Sequence, residues 1–337
     1  MSNRAAVMTG IEEIAFEQRA EPLPGPHDAV VRIEAVGVCG SDTTYFRVGR
    51  IGDYVVKGPI VLGHETAGVV EAVGAEVTNV TAGQRVAVEP GVPCRNCEQC
   101  LRGRYHLCPF LQFLATPPYD GAFLEHLTID ARSLHPIPDS MSFEEAALVE
   151  PLSVGLWACH RADLEAGDDV LVTGAGPIGI VSAMAARALG ARDIVLTDVS
   201  ESRLELARSM GFETERADAP EPDRDFDVLI ECAAAPGVLA AALRRLRPAG
   251  RAALVGMHKE ELVGIPQSEL NPQELTIAMV NRYAHTWPSA IALVASGRID
   301  VKAMITHHFS GLDDIAYALM LGKHEPESLK AIVNPNA

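Results

Sequence analysis

The chain of 337 residues has no uninterrupted apolar run near the roughly 18 residues that a membrane span requires. Its best candidate, residues 170–186, is broken by Gly174, Gly176, Pro177 and Gly179. The first ten residues lack the apolar stretch of a signal peptide, which predicts a cytoplasmic protein. Positive charge is scarce: 28 Lys and Arg stand against 45 Asp and Glu, a formal net charge of −17. With no basic surplus to neutralise phosphates, nucleic acid is disfavoured as a partner, and so is an anionic membrane surface. Internal repeats and low-complexity tracts are missing too. What remains is globular, 48% hydrophobic and 22% charged, with apolar material for a core and a length that favours two domains.

Four of the seven cysteines crowd into positions 94–108, and in a reducing compartment such crowding suggests metal rather than disulfides. Cys94-x2-Cys97-x2-Cys100-x7-Cys108 can wrap one tetrahedral Zn²⁺. A closed four-thiolate shell leaves no open position, so such a zinc is structural. An iron–sulfur cluster, whose ligand spacings can look similar, and four unrelated thiols are the alternatives. Cys159 and Cys232 lie in apolar contexts and are expected to pack.

The first third reads as short strands. Val31, Ile33 and Ala35 alternate with Arg32 and Glu34, and residues 66–73 and 84–89 look similar, which predicts an antiparallel, barrel-like β domain. The pattern changes near residue 140, where Ser142 and Glu145 form a capping box. Strands at 170–173, 194–197, 226–232 and 251–255 then alternate with helices at 177–189, 202–210 and 237–246, which implies βαβ units and a parallel sheet. Residues 220–225 read as a polar loop. Amphipathic stretches at 288–296 and 312–321 do not continue the sheet and are expected to return to the first domain. His307 and His308 are expected at a solvated turn.

Gly174-Ala175-Gly176-Pro177-Ile178-Gly179 fits G-x-G-x-x-G. The pattern is weak alone, but here it follows the strand VLVT and opens a helix, the context that dinucleotide binding requires. Gly174 permits the tight turn, Gly176 lets the backbone approach a pyrophosphate, and Gly179 allows close helix–strand packing. Asp198 ends the next strand near the roughly 20-residue spacing of a ribose-binding acid, and a carboxylate there selects NAD over NADP. Arg203 either stacks on the adenine or pairs with a phosphate.

Gly63-His64-Glu65 lies downstream of Cys39-Gly40-Ser41-Asp42, and Glu150-Pro151 follows. One thiolate, one imidazole and one or two carboxylates suit an open zinc site. Together with the dinucleotide motif and the four-cysteine lobe, the set resembles the zinc-dependent medium-chain dehydrogenases over essentially the whole chain. Within them, CGSDTTYF, GRIGDYVVKGPIVLGHE, ATPPYDGAF, EPLSVG and NRYAHTWP are similar to the sorbitol and xylitol group of polyol dehydrogenases.

That resemblance implies an α/β protein with a GroES-like, β-rich catalytic domain at residues 1–152 and 284–337, and a Rossmann-type, doubly wound NAD domain at 153–283. It implies a homotetramer, an active site in the cleft between domains, and NAD plus two Zn²⁺ per chain, one catalytic and one structural. Cys39, His64 and Glu65 match catalytic zinc ligands, and Glu150 matches a glutamate that reaches the ion directly or through water. Charge counting favours the water-mediated role, since Cys39 and Glu65 already neutralise Zn²⁺. Ser41, Tyr45, Phe113, Glu150, Arg282 and Tyr283 match positions that line a polyol pocket, with core packing as the alternative for Tyr45 and Phe113 and a surface ion pair for Arg282. Ile178, Asp198, Arg203, Val255, Gly256, Met257 and Arg282 match NAD contacts. Relatives commonly carry a His at the position of Thr44, so proton release is expected through Ser41 or Glu150. The implied activity is oxidation of a secondary alcohol of a polyol to a ketose. A threonine or butanediol dehydrogenase of the same fold is the alternative, and a non-catalytic dinucleotide-binding protein would be expected to have a damaged zinc site.

Overall fold

The computed structural model describes residues 2–219, 224–257 and 262–337, so four residues of the loop expected at 220–225 lie outside it. The chain divides into two compact units: residues 1–150, 287–295 and 304–337, and residues 151–286 and 296–303. The C-terminal stretch expected to return as one block, 284–337, is therefore split, with 284–286 and 296–303 grouped with the second unit. Among the described residues no helix is long and apolar enough to cross a membrane.

In the first unit the alternation at Val31–Ala35 does what period-2 patterning requires: Val31, Ile33 and Ala35 are buried while Arg32 and Glu34 are half-buried, within the strand Asp28–Gly37. This strand pairs antiparallel with Glu65–Val73 on one side and Lys330–Asn334 on the other. The sheet runs Leu134–Pro136, Arg85–Val88, Glu65–Val73, Asp28–Gly37, Lys330–Asn334, Ile305–Ser310, with His126–Asp130 also paired to Asp28–Gly37. The strand Ile305–Ser310 corrects the turn expected at His307 and His308. Each histidine is engaged from the strand, His307 Nε2 at 2.8 Å from Glu325 and His308 Nδ1 at 2.9 Å from Glu144. The apolar core of this unit includes Phe46, Leu62, Phe123 and Val333.

The capping box at Ser142 and Glu145 is formed reciprocally: Ser142 N–H donates to Glu145 Oε2 at 2.6 Å, and Glu145 N–H to Ser142 Oγ at 3.3 Å. The helix it opens, Phe143–Ala147, is short, and a second helix, Val149–Arg161, follows directly.

The second unit holds a six-stranded, all-parallel sheet. Its order is Glu213–Arg216, Asp193–Asp198, Asp169–Thr173, Phe226–Glu231, Leu246–Leu254, Thr276–Met279. In chain order that is 3-2-1-4-5-6, the Rossmann arrangement. The order reverses between the first and fourth strands, and ligands of such sheets bind outside the carboxyl ends of the strands at that switch point. Gly174 follows the first of those strands and Glu231 ends the fourth.

Candidate functional site

Cys39 caps the helix Gly40–Val48. Its backbone N–H donates to Asp42 Oδ2 at 3.0 Å, three residues into the helix, which fixes the thiol at a helix N-terminus. Asp42 is fully buried and its other oxygen accepts from Gly63 N–H at 3.0 Å. The same oxygen lies 3.4 Å from His64 Nδ1. One carboxylate therefore ties the Cys39 turn, the Gly63 loop and the imidazole together, and an acceptor at Nδ1 orients the ring so that Nε2 can ligate.

The ligand atoms of Cys39, His64 and Glu65 lie within 4.8 Å of one another. Burial alone would lower the pKa of His64, but Asp42 and then Cys39 outweigh it and hold the imidazole well above its ordinary value. The pocket thus favours positive charge. A soft sulfur, an imidazole and a carboxylate in such a field fit a zinc ion with a position left open. Glu150, buried in the first turn of Val149–Arg161, is not a member of this cluster.

Glu65 has a partner that the sequence did not announce. Lys330 Nζ donates to both Glu65 oxygens at 2.8 Å and to Val38 O at 3.0 Å, with Lys330 only 3% exposed. Burial opposes its charge, yet Glu65 above all, and then Cys39, raise its pKa above the ordinary lysine value, with Glu150 contributing as well. Asp42 could have been found from the capping-box spacing after Cys39. Lys330 carried no local signal, since 265 residues separate it from Glu65.

Of the expected substrate residues, Phe113 is buried with its ring 5.7 Å from that of His64. Tyr45 is buried in the apolar core of the first unit. Ser41 is half-buried in the helix Gly40–Val48. The Thr44 hydroxyl donates to Gly40 O at 2.8 Å, one turn back. Tyr283 is buried, and Arg282 adopts a left-handed backbone at φ 54°.

The four-cysteine lobe is compact. Sulfur pairs lie 3.5 Å (Cys97–Cys100), 3.8 Å (Cys97–Cys108) and 4.0 Å (Cys94–Cys100) apart. A tetrahedron with Zn–S bonds of about 2.3 Å has edges of about 3.8 Å. The Asn96 backbone lowers the Cys94 thiol to about 7, whereas burial and then Cys97 push Cys100 up to about 12. Four adjacent sulfurs cannot all ionise without a cation between them, so the donor set fits one metal ion. Cys159 is pushed up to about 12 by burial, in keeping with an inert, packed thiol.

In the second unit, Gly174 takes φ 87°, a region open to glycine, and a Cβ on Gly179 would collide with the Gly174 carbonyl. The helix Pro177–Ala188 starts with Gly176 as its cap, and Ile178 is half-buried in its first turn. Asp198 accepts from Ala175 N–H and from Ser200 N–H, both at 2.8 Å, so it braces the glycine turn. Arg203 Nη1 lies 3.9 Å from Asp198, and its buried Nε finds no acceptor among the described residues. An orphaned guanidinium N–H beside a glycine-rich helix N-terminus fits an anionic dinucleotide. Val255 and Gly256 are half-buried and Met257 is 70% exposed, just past the fifth strand of the sheet. Their loop is held by Glu231, whose carbonyl accepts from the Val255 and Gly256 amides at 2.9 Å.

With this geometry in place, two family patterns match: the alcohol dehydrogenase GroES-like domain over residues 25–139, and zinc-binding dehydrogenase over 177–296. The chain is 41% identical to sorbitol dehydrogenase of Bacillus subtilis, over 99% of this chain and 97% of that protein. The chain belongs to the zinc-dependent medium-chain alcohol and polyol dehydrogenases. A second member, L-idonate 5-dehydrogenase of Vitis vinifera, is 38% identical over 98% of this chain and 94% of its own. Among solved members of this dehydrogenase fold, 2R,3R-butanediol dehydrogenase of Bacillus subtilis superposes with a TM-score of 0.91 at 29% identity, covering 99% of this chain and all of the other. The first unit is thus the GroES-like part of the dehydrogenase and the second its Rossmann part.

Proposed function

We propose that the protein oxidises a secondary alcohol of a polyol, such as sorbitol or xylitol, to the ketose with NAD as hydride acceptor. The observation that carries this reading is the Cys39–His64–Glu65 cluster, its thiol half-buried and its imidazole and carboxylate buried, in a chain about 40% identical to sorbitol dehydrogenases along nearly its whole length. Cys39, His64 and Glu65 would hold the catalytic zinc with Glu150 close to it, and Cys94, Cys97, Cys100 and Cys108 a structural one. The catalytic domain would comprise 1–152 and 284–337 apart from 296–303, and the NAD domain 153–283 together with that segment. When bound, zinc supplies a Lewis acid that brings the ionisation of a hydroxyl near neutral pH, worth about 12 kcal/mol for water, and nicotinamide supplies the hydride acceptor.

The chain's own residues do the remaining work. Asp42 fixes the imidazole, and Phe113 shields it with an apolar ring. Glu150 receives the substrate proton in this reading, directly or through Ser41 and water, because the Thr44 hydroxyl is already spent on Gly40. Tyr45, Arg282 and Tyr283 would present groups to the other hydroxyls. Gly174, Gly176, Ile178, Gly179, Val255, Gly256 and Met257 would line the NAD site. Asp198 keeps lone pairs for a ribose while bracing Ala175 and Ser200, and its charge disfavours a 2′-phosphate. A cytoplasmic homotetramer completes the proposal.

The test is a substrate panel of sorbitol, xylitol, threonine and 2,3-butanediol with NAD and NADP, run beside metal analysis. Two zinc ions per chain, NAD preference and the highest kcat/KM on a polyol are expected. Preference for butanediol or threonine would install the alternative, and a single zinc or NADP preference would overturn the corresponding assignment.

A further inference from the structure

We propose that Lys330 is a positioning residue of the metal centre: by holding both oxygens of Glu65, it limits that carboxylate's grip on the ion and supplies the charge that lets Glu150 act beside it. The inference deepens the reading that Cys39, His64 and Glu65 hold zinc, and rests on it.

The geometry is specific. An ammonium has three donors, and all three are placed, on Glu65 Oε1, Glu65 Oε2 and Val38 O. Strand register puts them there. Glu65 sits opposite Gly37, and Gly37 sits opposite Ile332, two residues beyond Lys330. A Cβ at Gly37 would collide with Glu65 Oε2, so glycine leaves the space that the carboxylate fills on its way to Lys330. Both side chains are shut from solvent, at 2% and 1% exposure.

Cys39 thiolate and Glu65 neutralise a divalent ion, but Lys330 adds one positive charge in the same dry pocket. The carboxylate of Glu150 then brings the centre to neutrality rather than to a net negative charge, so it can take part without opposing ionisation of a hydroxyl. Lys330 also competes with the ion for the lone pairs of Glu65, which weakens that ligand.

Three variants of the zinc-loaded enzyme test this: K330M, K330Q and K330R. K330Q keeps a polar N–H donor in place of the ammonium, so the series stays readable should K330M fail to fold. The readouts are the rate of zinc release to a chelator, the visible spectrum of the Co²⁺-substituted protein, and kcat and KM separately. Loss of the charge is expected to slow zinc release at least tenfold, shift the Co²⁺ bands and lower kcat about tenfold with KM within twofold, while K330R stays close to wild type in all three. Unchanged release and spectrum in K330Q would overturn the inference, as would faster release. C39S serves as the control for the underlying reading: if it holds as much metal as wild type, the zinc assignment itself fails, whatever the lysine variants do.

Discussion

A single side-chain change at Asp42, carboxylate to amide, leaves one of the two amides it holds, Cys39 N–H or Gly63 N–H, facing a donor, and removes the counter-charge from His64. Asn matches the shape but offers one acceptor oxygen where the carboxylate offers two. Partners that orient a metal-bound histidine are typically worth 10–100-fold in metal affinity. D42N is therefore expected to weaken zinc binding about 30-fold, measured by competition with a chelator, and to leave the NAD dissociation constant unchanged because Asp42 belongs to the first unit. At this same scale the three residues that cluster were readable in the sequence. Cys39, His64 and Glu65 sit in motifs whose residue types have few other reasons to stand together. Lys330 was not readable, because nothing in a lysine near the end of a chain says that a strand will set it beside Glu65.

Among the elements, the parallel sheet carries an ionic cluster at the amino ends of its strands, far from the carboxyl ends where the glycine turn lies. Asp169, almost fully buried at the start of its strand, accepts from Arg192 Nε at 2.9 Å and from Arg247 Nη2 at 2.8 Å. Arg247 also donates to Asp227 at 2.6 Å, and Asp227 accepts from the Asp169 backbone N–H at 2.9 Å. Burial would raise the pKa of Asp169, but Arg192 and Arg247 outweigh it and hold the carboxyl below its ordinary value. A group with a depressed folded pKa stabilises the protein above its unfolded pKa of about 4, and that contribution is lost as pH falls through the folded value. Both arginines are partly exposed, which discounts the pair from the several kcal/mol of a fully buried bridge. D169N is expected to cost about 2 kcal/mol in urea unfolding at pH 7, with the gap from wild type narrowing as the pH falls below the unfolded carboxyl pKa of about 4. The strands of this sheet were legible where they are buried runs, as at Asp169–Thr173. The edge strands Glu213–Arg216 and Thr276–Met279 were missed, because one is wholly polar and the other half-exposed, and sheet position rather than hydrophobic pattern decides them. The N-terminal hairpin, Ser2–Gly10 with Glu13–Ala20, escaped for a similar reason, its second strand having no buried residue.

For the whole molecule, division into two units means that the proposed metal and dinucleotide sites are supported by separate cores, one including Phe46, Leu62 and Phe123, the other Leu171, Phe226 and Leu243. The four-cysteine lobe belongs to the first unit but has little apolar support of its own. Leu101 is 75% exposed and Phe110 68%, and its helix Glu98–Leu101 has no buried residue. A segment that cannot bury enough surface to offset its chain entropy depends on its ion for order. Arg95, Arg102 and Arg104 lie within it and are trypsin sites. A strong chelator is therefore expected to expose residues 94–108 to trypsin, with cleavage after Arg102 or Arg104 at least tenfold faster than in the zinc-loaded protein. The second unit, whose sheet needs no metal, should keep its NAD affinity under the same treatment. Peptide mapping across a chelator titration, paired with NAD binding, separates these outcomes. Loss of NAD binding in step with loop cleavage would mean that the two units melt together, and equal cleavage rates with and without zinc would show that the lobe is held by its chain alone.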